Sequence, residues 1–331
     1  MITRLMQILV FIPIFGIGLL VSAPTFSQEK QDSFPRIRLG ASQTATLVVI
    51  AHAKGYFREQ GLDVQIKFYE AGKLAADALL AGEVDISTSA DSAFVSKSFE
   101  RADIRVIGTL SAENTIALAG RKESGIRKIS DLRGKRVGVT RKSSGEYFLG
   151  RFLLFHGMSL QDVEIHDLKP SDIVSAVLSG KIDAGFTWEP NIYKIKSKLK
   201  ERVAVFPGQV GQEFYFLFLA KDQWVAKNSV GLRRFLRAVI RAEKYTQAHE
   251  ADAKKIICKQ FGYGSSYLDY VWPKKKHFVE LPQALLPALE AQARWRIRNR
   301  LVSKRRMPNY LDRIYKNGLN EVKPSGVTII E

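Results

Sequence analysis

The sequence predicts an α/β fold of two similar lobes, each a mainly parallel sheet flanked by helices, with a cleft between them. Three observations carry this. The chain has 331 residues, more than the roughly 250–300 at which single hydrophobic cores stop growing, so two cores are expected. It also repeats itself. "LLAGEVDIS" at 79–87 is echoed by "VLSGKIDAG" at 177–185, so Gly82 and Asp85 return as Gly180 and Asp183 at an offset of 98. Finally, strand-like and helix-like runs alternate within each copy as β-α-β-α-β, the order that gives parallel strands with helical crossovers.

Residues 1–27 stand apart from this pattern. Arg4 precedes an uncharged apolar run from Ile8 to Val21, shorter than the roughly 20 residues a spanning helix needs. Small and polar residues follow in "SAPTFSQ" and suit cleavage near Ser27. A secretory signal peptide is the expectation, with the alternative of an uncleaved anchor. Cys258 is the one cysteine, so no disulfide forms and none is placed to carry a lipid. A free periplasmic protein, most simply a monomer, is expected.

The first copy opens with the strand "RIRLGASQ". A helical stretch from Thr44 to Gln60 follows, closed by Gly61, then the strand "LDVQIKFYE". A helix over Lys73–Ala81 is closed by Gly82, and "VDIST" is the third strand. The second copy runs in step. "KRVGVTRK" places Gly138 and Thr140 where Gly40 and Ser42 stood, again at an offset of 98. A helix over Glu146–His156 closed by Gly157, the strand "QDVEIHDLK", a helix over Ser171–Ser179 closed by Gly180 and the strand "IDAGFT" complete it. Glycine at each helix end suits a left-handed cap. Beyond Leu217 there is no third copy: "YFLFLAK" reads as a buried strand, with helices from about Asp222 to Gln260 and Pro282 to Arg300. The economical topology has lobe one built from 34–112 and 217–331 and lobe two from 113–216. Two crossings of the chain would then form a hinge.

In open α/β sheets ligands bind beyond the carboxyl ends of the strands, where helix amino termini also point. That rule selects Gln43 and Thr44 in "SQT", Gly72 in "AG", and Thr88, Ser89 and Asp91 in "STSADS". It further selects Ser144 and Gly145 in "RKSSGE", and Trp188 and Glu189 in "TWEPN". Ser143 and Glu146 have capping-box spacing, while Arg141, Lys142 and the helix-end donors would make an oxyanion seat. Trp188 offers either core packing or a ligand wall, and Glu189 an acceptor for an amine or hydroxyl. Asp85 and Asp183 fall within strands and are expected to bond nearby backbone.

Enzyme signatures are missing from the sequence: it has no G-x-S-x-G, no phosphate loop, no G-x-G-x-x-G, no H-E-x-x-H and no cysteine pair for zinc. The five histidines are scattered singly. No catalytic residue, metal or cofactor is therefore expected. The formal charge is +18, and residues 231–331 hold 21 Lys and Arg against 9 acids, a balance of +12. Such an excess raises nucleic acid or an anionic membrane as partners. The blander reading of "RWRIRNRLVSKRRMPNYLDRIY" is a solvated helix face, its apolar residues interleaved with cations. Nucleic acid is not the expected partner of an exported chain.

At "AHAKGYFREQGLDV", "AGKLAADALLAGEVDISTSADSAFV", "DLRGKRVGVTRKSSGEYFL", "LSGKIDAGFTWEPNIYK" and "LDRIYKNGLNEVKPSGVTII" the sequence resembles the periplasmic substrate-binding proteins of ABC importers, in the nitrate/sulfonate/taurine group. The resemblance covers nearly the whole chain beyond the leader, in the expected order. It implies a type II periplasmic-binding fold that closes on a small anionic solute and hands it to an ABC permease driven by its ATPase. It also implies that the loops around Gln43, Thr44, Gly72, Thr88 to Asp91, Ser144, Gly145, Trp188 and Glu189 face that solute. "TWEP" resembles the Trp-Asp-Pro phrase of sulfonate and taurine binders with a longer acid. "STSADS" lacks the glycine and proline often found there. Two alternatives remain on the same fold: an enzyme acting on a pyrimidine precursor or related small molecule, and a sensory binding protein.

Overall fold

The computed structural model describes residues 35–330; the expected leader, 1–27, lies outside them. The first copy forms β1 (Arg36–Ser42), α1 (Thr46–Ala53), α2 (Tyr56–Glu59), β2 (Asp63–Tyr69), α3 (Gly72–Ala81), β3 (Ile86–Ala90) and α4 (Asp91–Ser98). The expected helix over Thr44–Gln60 is thus two, because Gly55 adopts a left-handed φ of 75° and interrupts it. β4 (Ile104–Glu113) closes this segment, and β5 (Ile116–Arg121) begins the next after a two-residue step.

The second copy follows as β6 (Arg136–Val139), α5 (Ser144–Phe155), β7 (Glu164–Asp167), α6 (Pro170–Ser179), β8 (Ala184–Trp188) and α7 (Asn191–Leu199). Then come β9 (Val203–Pro207), β10 (Phe214–Lys221), α8 (Asp222–Lys227), α9 (Ser229–Ala248), α10 (Glu250–Phe261), α11 (Ser265–Val271), β11 (Lys275–His277), α12 (Leu285–Arg298) and α13 (Asn317–Asn320). The expected helix to Arg300 ends at Arg298. Arg300 sits at φ 55° and Leu301 N–H returns to the Arg296 carbonyl, which closes the helix. So the basic stretch beyond it is loop rather than helix face.

Two sheets result, ordered β11-β4-β10-β3-β1-β2 and β7-β6-β8-β5-β9. Within each copy the ladders are parallel, β1 with β2 and β3, β6 with β7 and β8. Strands supplied by the chain as it crosses run the other way: β10 is antiparallel to β3 and β4, and β5 to β8 and β9. Both sheets are therefore mixed, parallel within each copy and antiparallel where the crossing strands join.

The echo has a structural cause. In each copy an arginine on the first strand forks onto the aspartate just ahead of the third. Arg38 Nε and Nη2 donate to Asp85 at 3.1 and 2.6 Å, and the Arg38 backbone N–H reaches the same carboxylate at 2.8 Å. Arg136 does the same to Asp183 at 3.1, 2.8 and 2.9 Å. Each guanidinium also caps the glycine that ends the preceding helix, Gly82 O at 2.9 Å and Gly180 O at 3.1 Å. Both aspartates therefore bond nearby backbone, and they also clamp strand to turn through bidentate pairs.

Candidate functional site

The ends of β1, β3, β6, β7 and β8, the starts of α3, α5 and α6, and the crossing after β4 enclose a cleft of about 460 Å³. That lies within the range of small-molecule sites. Four of the ten residues selected from sequence line it: Thr44, Gly72, Ser144 and Trp188.

Thr44 is held in place by the hydroxyl of Ser42, 2.7 Å from its own, and the Ser42 backbone N–H donates to Thr88 Oγ1 at 2.9 Å. Thr88 is thereby buried behind the lining, and Ser89 beside it is also fully buried. Gln43 points to solvent. Gly72 is demanded by packing: a Cβ there would lie 2.8 Å from Ser89 Cα. Its absence lets the first turn of α3 approach the end of β3.

Asp91 at the start of α4 is fully buried, and its Oδ2 accepts from the Tyr215 backbone N–H at 3.0 Å. Burial pushes its carboxyl up to about 6, against the pull of backbone donors and Arg296. This ties β10 to α4 rather than lining the cleft. Ser144 lines the cleft and accepts from Ser92 Oγ at 3.0 Å, joining the starts of α4 and α5. Gly145 is buried under it.

The expected reciprocal cap is displaced. Ser143 Oγ accepts from Gly145 N–H at 3.1 Å, one residue short of Glu146, and Glu146 Oε2 accepts from Lys142 N–H at 2.9 Å. Ser143 Oγ is itself drawn back to donate to the Thr140 carbonyl at 2.5 Å, which explains the shift.

Trp188 is half-buried on the cleft wall. Glu189 turns away into the protein, where its Oε2 accepts from Tyr193 N–H at 2.9 Å and Lys274 Nζ stands 3.6 Å from Oε1. Burial raises its carboxyl above the usual range, opposed by Lys274. Pro190 follows through a cis bond and caps α7, which starts at Asn191.

Several lining residues were not selected from sequence. Glu113, at the end of β4, is buried on the cleft floor; it accepts from Ser111 Oγ at 2.8 Å and lies 3.4 Å from Lys275 Nζ. Thr115 and Ile116 continue the floor along the crossing, and Phe214 and Phe216 face it from β10. Nothing in the repeat marks these positions, because β4, the crossing after it and β10 lie outside the repeated unit. Glu70 and Lys169 also line the cleft, and Glu70 Oε1 accepts from the Ser171 N–H at 3.1 Å. The first turn of α6 therefore already holds a carboxylate, as helix starts favour. Among the described residues no group of three or more His, Cys, Asp or Glu is placed to hold a metal.

Two sheets joined by two crossings, with helix starts gathered around a cleft, define a periplasmic-binding-protein fold. The alkanesulfonate-binding protein SsuA from Xanthomonas axonopodis pv. citri, solved with MOPS, superposes with a TM-score of 0.75 at 19% identity, over 85% of this chain and 98% of its own. The family model described as NMT1/THI5 like matches residues 42–253, and the chain belongs to that family. An Escherichia coli chain named for binding aliphatic sulfonates is 25% identical over 86% of this chain and 91% of its own. A Haemophilus influenzae chain named for thiamine biosynthesis is 27% identical over 72% and 76%.

Proposed function

We propose that this chain is an exported solute receptor that binds a small organic anion, a sulfonate or taurine-like molecule first among them, and delivers it to an ABC import permease. The observation that carries the reading is the cleft itself. It combines hydroxyls of Thr44, Thr115 and Ser144 and the first turns of α3 and α5 with the apolar wall of Trp188, Phe214 and Phe216. Donors and helix starts suit an oxyanion, with the cations Lys73, Arg141 and Lys169 in the same lining, and aromatic faces suit an organic body. The names of the sulfonate-binding relatives support the same class. Lobe boundaries at 34–112 with 217–331 against 113–216, and action as a monomer outside the cytoplasm, belong to this proposal.

A second reading has one specific observation in its favour. Glu113, a carboxylate at the cleft floor, suits an N–H of the solute, as in an aminopyrimidine, and a relative is named for thiamine biosynthesis. An amine-bearing sulfonate would use the same carboxylate.

A thermal-shift panel of taurine, alkyl and aryl sulfonates, nitrate, phosphonates and pyrimidines separates the readings. A solute at ~100 times its dissociation constant adds about 2.7 kcal/mol, several degrees of melting temperature. Sulfonates are expected to shift the protein without being turned over, and Trp188→Ala to weaken them at least about tenfold, ~1.4 kcal/mol. A shift confined to pyrimidines, or chemical conversion of any hit, overturns the sulfonate receptor.

A further inference from the structure

The segment that follows α12 answers a different question, how the molecule meets a surface. Between Glu290 and Asp312 the sequence contains no acidic residue. Arg294 pairs with Glu290 at 3.1 Å, and Arg296 is fully buried. That leaves Arg298, Arg300, Lys304, Arg305 and Arg306, all exposed, and none makes an ion pair with a described residue. A helix carboxyl end accounts for a cation at Arg298, where it meets the dipole. It does not account for the three consecutive cations at 304–306, beyond the helix.

Two of the three are seated against the fold. Lys304 and Arg306 line a groove of about 520 Å³ together with Arg313, Ser98, Phe99, Met307 and Glu290, the one carboxylate of its lining. Arg300 is held at the left-handed φ of 55°, a position glycine usually fills, by the hydrogen bond that closes α12. The groove shares no residue with the solute cleft, so both can be engaged together.

We propose that the 298–306 segment is a docking surface for an anionic phospholipid bilayer. Four of its five cations are arginines, whose planar guanidinium pairs with phosphate oxygens two at a time. A cluster of this size near anionic headgroups is attracted over about a Debye length and released by salt. Leu301, Val302 and Met307 are only half-exposed, so contact is electrostatic and at the headgroups rather than by insertion. Among the described residues no helix is long and apolar enough to cross a membrane. The assignment of lipid over nucleic acid rests on the exported reading above; the surface itself does not depend on the identity of the solute.

The test is co-flotation of the chain from Gln28 onward, which retains all the described residues, 35–330. Vesicles of phosphatidylethanolamine with about one quarter phosphatidylglycerol are compared with phosphatidylcholine alone, at about 50 and about 500 mM salt. Binding is expected to be at least roughly tenfold greater on the anionic vesicles and to vanish at high salt. The variant Arg298→Gln, Arg300→Gln, Lys304→Gln, Arg305→Gln, Arg306→Gln should lose that preference while keeping its melting temperature and its response to any solute hit. An equal charge change elsewhere, Lys227→Gln, Arg237→Gln, Lys244→Gln, Lys255→Gln, Lys259→Gln, should retain it. Equal loss in both variants would make net charge the cause and overturn a defined surface. So would wild-type indifference to phosphatidylglycerol, and duplex DNA bound as tightly as the vesicles would overturn the lipid assignment. A solute response that survives any of these leaves the receptor reading standing.

Discussion

Asp183 clamps the second copy by receiving the Arg136 fork and the Arg136 backbone N–H together. Those donors hold its carboxyl at about 2, below the roughly 3.9 of an unfolded chain. The folded state therefore releases this proton more readily than the unfolded one. The stability it contributes is present above pH ~4 and is lost as pH falls from there through about 2. Asp103, Asp131 and Asp162 are lowered too, so Asp183→Asn should shrink the acid slope rather than abolish it. At neutral pH the variant should lose about 1–3 kcal/mol, the usual cost of a charged hydrogen-bond partner. Urea midpoints measured from pH 2 to 7 decide it; an unchanged acid limb would mean the fork contributes nothing net.

At the scale of elements, α12 is tied to the helices of the second sheet by its packing on α5. Trp295 lies edge-on to Tyr147, with ring centroids 5.4 Å apart, and covers Gly150 so closely that an added Cβ would fall 2.6 Å from Cζ2. Gly150→Ala sets two effects against each other. Alanine in a helix gains about 1 kcal/mol over glycine, and overpacking a fitted site costs about 1–3 kcal/mol. Three indole atoms lie within 3.0 Å of the new carbon, so the clash should win and the melting temperature fall by a few degrees. A rise would show that Trp295 can swing aside and that α12 is not clamped there. The same helix carries Arg296 inward, where its Nη2 donates to Ser92 O at 3.1 Å and Nη1 lies 4.0 Å from Glu146. So α12 reaches both α4 and α5, one on each side of the cleft.

For the whole molecule, beside the aromatic contacts of Trp295 with Tyr147 and of Tyr193 with Tyr267 and Tyr270, the bonds that bridge elements of the two sheets include the polar pairs Glu70 to Ser171 N–H, Ser92 to Ser144 and Glu189 to Lys274. Such contacts exchange readily for those of a solute, and a solute touching both sides favours whichever arrangement it bridges. A solute hit should therefore reduce the radius of gyration, about 20 Å for a compact chain of this size, when small-angle scattering is recorded with and without it. An unchanged profile with saturated binding would remove closure from the mechanism.

How much of this was legible beforehand differs by feature. The internal echo was fully readable, because a clamp that needs arginine, glycine and aspartate at fixed places must repeat wherever the unit repeats. Strand ends led to Thr44, Gly72, Ser144 and Trp188 because parallel β-α units send helix starts to one edge. The same rule did not tell lining from support: Thr88, Asp91 and Glu189 share those loops but spend their oxygens on Ser42, Tyr215 and Tyr193 backbone N–H groups. Their direction depends on partners distant in sequence. Glu113, Phe214 and Phe216 went unseen for the same reason, since β4 meets β10 only across a sequence gap of about a hundred residues. The sequence by itself determined the repeated unit, its order and its clamps, because those are local. Only the tertiary structure decided which side chains face the cleft and which cations stay unpaired, because both depend on where the returning chain lays its strands and helices.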